Sequence, residues 1–326
     1  MTIVHGGTPD LPGFDRVAGI CSGADWCRFV DSDARSEPRY LSDGNGAFLV
    51  AHHCPGEPEP HYPAGLVLGG RAGRVSRLLL DDGASPEQLP ALIDAAVEMF
   101  PSSCGGWSWP FLTGDDSRRL IRALGVGASG LRLAGADCTV EVTGGGVEAH
   151  VATSLQSRER RADVREELAS FSRGRVRVTA TSAASGDCPS PELLGPLLAT
   201  VERAHGRSVT DAGAIDLLHR RNRFLADSST VFTATDPGGR ITGFSVLRRV
   251  GDEATVDVVG LRDPSRDSVT GPLHAHLALW EPLAWCAGPG RGVRTLHLGM
   301  QAFEAKTRRG AAMRSLWTVT VPARVS

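Results

Sequence analysis

The chain has 326 residues, 41% hydrophobic and 22% charged, with a mean hydropathy of -0.11. That is globular composition, and with no apolar run near the roughly 20 residues that span a bilayer it argues against both a disordered tail and a transmembrane helix. The net charge of -2 hides an asymmetry: residues 1–150 carry 11 Arg against 19 Asp and Glu, a net of -8, and residues 151–326 carry a net of +6. A basic half suits either a partner bearing phosphates or attraction between the halves themselves.

The first residues have no basic flank and no apolar h-region, so no signal peptide is predicted. Seven cysteines without a C-x-x-C pair fit a cytoplasmic protein with free thiols better than a disulfide framework or a zinc site. Strands are predicted over 47–51, 65–69 and 76–80. Ser85-Pro86 caps a helix whose apolar residues Leu89, Leu92, Ile93, Ala96, Val97 and Phe100 recur at helical spacing. A short strand over 106–112 holds Trp107 and Trp109, which suit core packing better than base stacking. Asp115-Asp116 opens a helix that Gly125 closes, and a strand follows over 138–142. One long helix is predicted over 147–173, then helices after Ser190-Pro191 and over 211–227. Strands follow over 230–235, 240–250 and 253–260, the first two separated by the DPGG turn. Gly271-Pro272 opens a helix running to 287. A strand over 293–298, a helix over 300–309 ended by Gly310, and a strand over 316–321 complete the chain. Both halves thus read β-β-β-α-β-α-β, which predicts two tandem copies of one mixed α/β fold.

Of 35 basic residues, 34 are Arg and one is Lys306. Where a GC-rich genome turns lysines into arginines, the surviving lysine is a candidate for a residue that must be compact and titratable. It sits in GRGVRTLHLGMQAFEAKTRRGAAMRSLW. This segment resembles the C-terminal signature of Fem-like and related GNAT-fold proteins, in which a strand ends in Gly and an aromatic-x-x-Lys opens a short helix before a second Gly. Here those positions are Gly299, Phe303, Lys306 and Gly310. SLQSRERRADVREELASFSRG looks like the basic helix joining the two lobes of such proteins, and the YPAGL and WSWPFL stretches extend the resemblance over most of the chain. It implies tandem GNAT-like lobes at 1–146 and 175–326, joined by a basic helix at 147–174. It also implies an acyltransferase that takes an amino acid from aminoacyl-tRNA and forms an amide, with an acceptor amine in secondary metabolism (natural-product biosynthesis). No cofactor or metal is then required. The alternative is an acyl-CoA-dependent N-acyltransferase of the GNAT superfamily.

The donor can be weighed on the residues. A CoA cradle of the form Q/R-x-x-G-x-G/A would fall on 266–271. Arg266 and Gly271 match, but Val269 replaces the first glycine and Asp267 sets a negative charge beside the pyrophosphate. That favours a tRNA donor. Arg158, Arg160, Arg161 and Arg165 on the joining helix, with Arg308 and Arg309 after Lys306, are candidate phosphate contacts, and 158, 161 and 165 share one face. The same arginines could instead pair with Glu159, Asp163, Glu166 and Glu167. His219–Arg223 is a further basic cluster open to both readings. Lys306 is assigned to the oxyanion of the tetrahedral intermediate, and Asp257 and Glu304 are candidate bases for the amine. His52-His53 and His274-x-His276 lack a third ligand at a standard spacing. Cys104 has no neighbour that would lower its pKa, and no G-x-S-x-G elbow is present.

Overall fold

The computed structural model describes residues 4–6, 9–17, 19–33, 36–55, 65–70, 73–100, 106–174, 176–262 and 270–322. The chain forms two units, one from Met1–Asp137 with Arg314–Ser326, the other from Cys138–Met313. The boundaries therefore fall inside strands, at 137/138 and 313/314, where a linear partition sets lobes at 1–146 and 175–326.

In chain order the first stretch holds β1 (Val4–Gly6), α1 (Phe14–Val17), α2 (Ala24–Asp31), β2 (Glu37–Ser42), β3 (Ala47–Cys54), β4 (Gly65–Leu68), β5 (Leu79–Leu80), α3 (Leu89–Met99), β6 (Gly106–Thr113), α4 (Gly114–Leu124) and β7 (Leu131–Glu141). Next come α5 (Gly146–Ser154) and α6 (Arg158–Arg173). The second stretch holds β8 (Arg177–Ser182), α7 (Pro191–Ala204), α8 (Asp211–Leu225), β9 (Ser229–Thr235), β10 (Ile241–Val250) and β11 (Glu253–Leu261). It continues with α9 (Thr270–Ala275), a π-helical turn (His276–Trp280), α10 (Glu281–Cys286), β12 (Thr295–Gly299), α11 (Phe303–Arg308) and β13 (Ala312–Pro322).

The two stretches share one order, β-α-α-β-β-β-α-β-α-β, with β5 the only addition to the first. The strand pairing repeats as well. The first unit runs β1-β2-β3-β4-β6-β13, the second β8-β9-β10-β11-β12-β7. In each, three antiparallel pairs are followed by one parallel pair and one antiparallel pair. The class is mixed α/β, as the sequence predicts.

Local chemistry accounts for the elements that were legible. At α3, Ser85 and Gln88 form a capping box, and Leu89, Leu92, Ile93 and Ala96 are buried. Each of the larger three contributes about 1.5–3 kcal/mol by leaving water. Thr113 caps α4 by accepting the Asp116 N–H, and Gly125 ends it at φ 62°.

Several expectations are corrected. The single helix over 147–173 is two helices, broken at residues 155–157, where Ser157 accepts the Arg160 N–H and caps α6. Nor is α6 a bare connector: Val164, Leu168 and Phe171 pack into the core of the second unit. The strand expected over 76–80 shrinks to β5, which pairs with β3 off the main path. The third strand of the first repeat is instead supplied by β2, which the sequence pattern does not reveal. The strand expected over 138–142 is the tail of β7, which begins at Leu131.

Candidate functional site

In the second unit, β11 and β12 run parallel but part early. Their rungs are Glu253↔Thr295, Ala254↔Leu296 and Thr255↔His297. Beyond them β11 continues to Leu261, and its register against β10 shifts between Val246 and Leu247, where Asp257 is the extra residue of a bulge. The carbonyls of Leu298 and Gly299 lie past the last of these rungs. The Lys306 ammonium donates to both, with Nζ 2.6 Å from the Leu298 oxygen and 3.2 Å from the Gly299 oxygen. A compact ammonium can serve two adjacent carbonyls; a planar guanidinium has a different reach and shape. This is a structural demand for lysine that composition alone does not disclose.

The α11 turn that carries Lys306 buries no residue. It begins at Ala302, held at φ 53° with no side-chain cap, a left-handed conformation that costs a non-glycine residue roughly 1–2 kcal/mol. Polar tethers hold it. Arg309 forks onto Glu167 of α6, with Nε 3.0 Å from Oε1 and Nη2 2.7 Å from Oε2. Glu167 also accepts the Trp280 indole N–H at 2.9 Å, so one carboxylate ties α6, α11 and the π-helical turn together. His150 of α5 lies 2.8 Å through Nε2 from the Arg309 carbonyl. A Cβ on Gly310, at φ 90°, would come within 2.8 Å of that nitrogen. Glycine at 310 is therefore required twice over, by φ and by contact.

The sequence-predicted residues separate into three groups. Lys306 lies at the parted strand ends. Arg309 lies beside it but is committed to Glu167, and Arg308 and Glu304 pair with each other at 2.6 Å on the exposed side of α11. Asp257 is buried elsewhere in the unit, its Oδ2 bound by Arg221 of α8 and by Arg248 Nε at 3.0 Å. That triad fastens α8, β10 and β11, which gives Asp257 a structural task in place of proton transfer. On α6, Arg158, Arg160 and Arg165 are exposed, whereas Arg161 turns back to the Leu155 and Gln156 carbonyls at 2.6 and 3.1 Å and secures the α5–α6 joint. Gly271 lies in α9; Arg266, Val269, Asp267 and Cys104 fall outside the described residues. His219 pairs with Glu192, and Arg220 with Asp216. Trp109 is fully buried, its indole N–H donating to Ser76 at 2.8 Å, and His52 bonds Asp31 at 3.1 Å.

Three histidines stand outside the predicted catalytic set, two of them in the H-x-H motif. His274 of α9 is held below the ordinary histidine range by burial and then by the positive charges of Lys306, Arg309 and His205. Protonation of this ring is therefore disfavoured, with Lys306 among the charges that act on it. His276, two residues on, lies flat on Phe171 with ring centroids 3.5 Å apart. Burial also pushes His150 down, partly offset by its bond to the Arg309 carbonyl. The spacing H-x-H invited a metal reading, but the two rings of that motif have different surroundings. No spacing in the sequence links positions 150, 274 and 309.

No protein-family model matches this chain, and no curated protein matches it by sequence. Solved structures do. The fold is similar to that of FemX, with a TM-score of 0.65 at 12% identity over 98% of both chains. It is also similar to L-PGS from Bacillus licheniformis, with a TM-score of 0.60 at 12% identity over 98% of this chain and 94% of that one. A conserved protein of unknown function from Bacteroides thetaiotaomicron gives 0.58 at 12% identity over 92% and 90%. This chain therefore shares its fold with FemX over 98% of its length. Among the described residues, no helix is long and apolar enough to cross a membrane.

Proposed function

We propose that this chain is an acyltransferase that moves an aminoacyl group from aminoacyl-tRNA to the amine of a small acceptor, with the α11 turn as its centre. The observation that carries this reading is Lys306 at the parted ends of β11 and β12, in a chain whose fold matches FemX over 98% of both lengths. Fold alone does not assign chemistry, so the site has to bear the argument.

An aminoacyl ester is already activated. The acceptor nitrogen attacks its carbonyl, the C–O bond to the tRNA 3′-end breaks, and the departing oxygen takes a proton. The Lys306 charge stabilises the oxyanion that forms between these steps. His274, kept neutral by burial and by the neighbouring cations, takes the proton from the attacking amine. In this role it replaces Asp257 and Glu304, which are engaged with arginines. Arg158 and Arg165 meet tRNA phosphates from their shared exposed side of α6, without reading sequence, and Arg160, exposed in the first turn, adds a further positive charge.

The test is binding and turnover together. Charged tRNA should protect the protein against thermal unfolding, and the protection should fade as salt rises. Replacing Arg158 and Arg165 together should weaken binding without lowering the melting temperature. Arg161 is left in place because it holds the α5–α6 joint. Protection by acyl-CoA with none from charged tRNA would defeat the proposal in favour of a CoA donor.

A further inference from the structure

Ser154, an exposed residue, ends α5, and its Oγ is 3.1 Å from Nδ1 of His150, one helical turn earlier. The other ring nitrogen faces the Arg309 carbonyl. A carbonyl can only accept, so Nε2 carries the ring proton. In the neutral ring Nδ1 is then the acceptor, and the Ser154 O–H donates to it. His150 itself is 2% exposed, and its orientation is fixed by the Arg309 carbonyl on one side and on the other by Gly310, where even an added Cβ would meet both Nε2 and the Ser154 Cβ. A hydroxyl, a base in the accepting tautomer and a third group that orients the base are the parts of an activated nucleophile.

We propose that Ser154 and His150 form a nucleophilic dyad that takes an acyl group from an activated carboxylic ester onto Ser154 Oγ. The Ser154 proton passes to His150 Nδ1 as the oxygen attacks the ester carbonyl. The C–O bond to the leaving alcohol breaks, and that alcohol takes the proton back from Nδ1. Water then attacks the acyl-serine by the same route, releasing the acid and restoring the hydroxyl. No metal, oxidant or cofactor enters the balance. The dyad needs no tRNA, so its fate is separate from the aminoacyl-transfer reading. Burial holds His150 below its ordinary pKa, which keeps it in the accepting form at neutral pH.

The probe is p-nitrophenyl acetate with the full chain. The expected result is a burst of one p-nitrophenolate per chain and one acetyl group mapped to Ser154 as a hydroxylamine-labile ester. An acetyl amide on Lys306 would survive hydroxylamine. Ser154→Ala should abolish the burst in a chain that still unfolds cooperatively, because Ser154 is an exposed residue and loses only its bond to His150. His150→Gln should slow labelling by about a hundredfold, the scale for losing a general base. If His150→Gln does not fold, the wild-type pH profile takes its place: labelling should fall only as pH drops through a pKa below 6.5. Labelling that persists in Ser154→Ala, a rate at Ser154 unmoved by His150→Gln or by pH, or no burst at all would overturn the dyad.

Discussion

The same step, parallel strand into helix, is built twice in this chain and built differently. In the first unit β6 leads into α4, eleven residues long, capped by Thr113, closed by Gly125 and anchored by the fully buried Leu120. In the second unit β12 leads into α11, six residues long, uncapped at a left-handed Ala302 and with nothing buried. The first is held by packing. The second is held by charge: Lys306 on two strand carbonyls, Arg309 on Glu167, and His150 on the Arg309 backbone. An apolar anchor is non-directional, whereas a charged tether fixes a geometry and leaves charge at the surface. The contrast is why the proposed chemistry is centred on the second unit.

The largest effect that should separate the two steps is at Lys306. Lys306→Ala should lower turnover by on the order of a hundredfold, the scale for losing one oxyanion donor. Lys306→Arg should be nearly as impaired, since it keeps the charge but not the fit to the Leu298 and Gly299 carbonyls. An arginine variant with normal turnover would make the lysine incidental. Next is Glu167→Gln, which removes a forked charge-assisted pair worth about 1.5–3 kcal/mol. It should lower turnover by more than its effect on the melting temperature accounts for, because α11 has no apolar anchor to fall back on. In the first unit, Thr113→Ala should cost about 1 kcal/mol in urea unfolding and leave turnover untouched.

The smallest effect is on pH. His150 and His274 both titrate below the ordinary 6.5 in the folded chain. Below that value the unfolded chain binds protons that the folded chain does not, so stability is lost as pH falls from 6.5 toward the depressed values. Melting temperatures of His150→Gln and His274→Gln should show a shallower acid slope than wild type. Parallel slopes would remove the claim that these rings are neutral.

Much of the fold can be read from the chain because its signals are local. Strands β9, β10 and β11 are separated by DPGG and by Gly251-Asp252, and α3 and α4 announce their own caps. The edge strand β8 is different. Arg177, Thr179, Ala180 and Ser182 are exposed, so it buries too little to stand out from a loop. At the site, Lys306 is legible as the only lysine and Gly310 as a glycine after a helix. The pairs that give Lys306 its setting are not. Glu167 meets Arg309 across 142 positions and His150 meets Arg309 across 159, and only the folded chain brings them together. Asp257 shows the converse hazard. A carboxylate on a central strand suggests a base, but the Arg221 and Arg248 that occupy it come from other elements.

The most direct test of the account is transfer from a charged tRNA pool carrying labelled amino acids to amines in cell extract. The account predicts a labelled amide that forms without CoA or ATP, requires wild-type Lys306, and is lost in the well-folded Lys306→Arg variant. Acylation of an amine from acetyl-CoA, with no transfer from any charged tRNA, would contradict it.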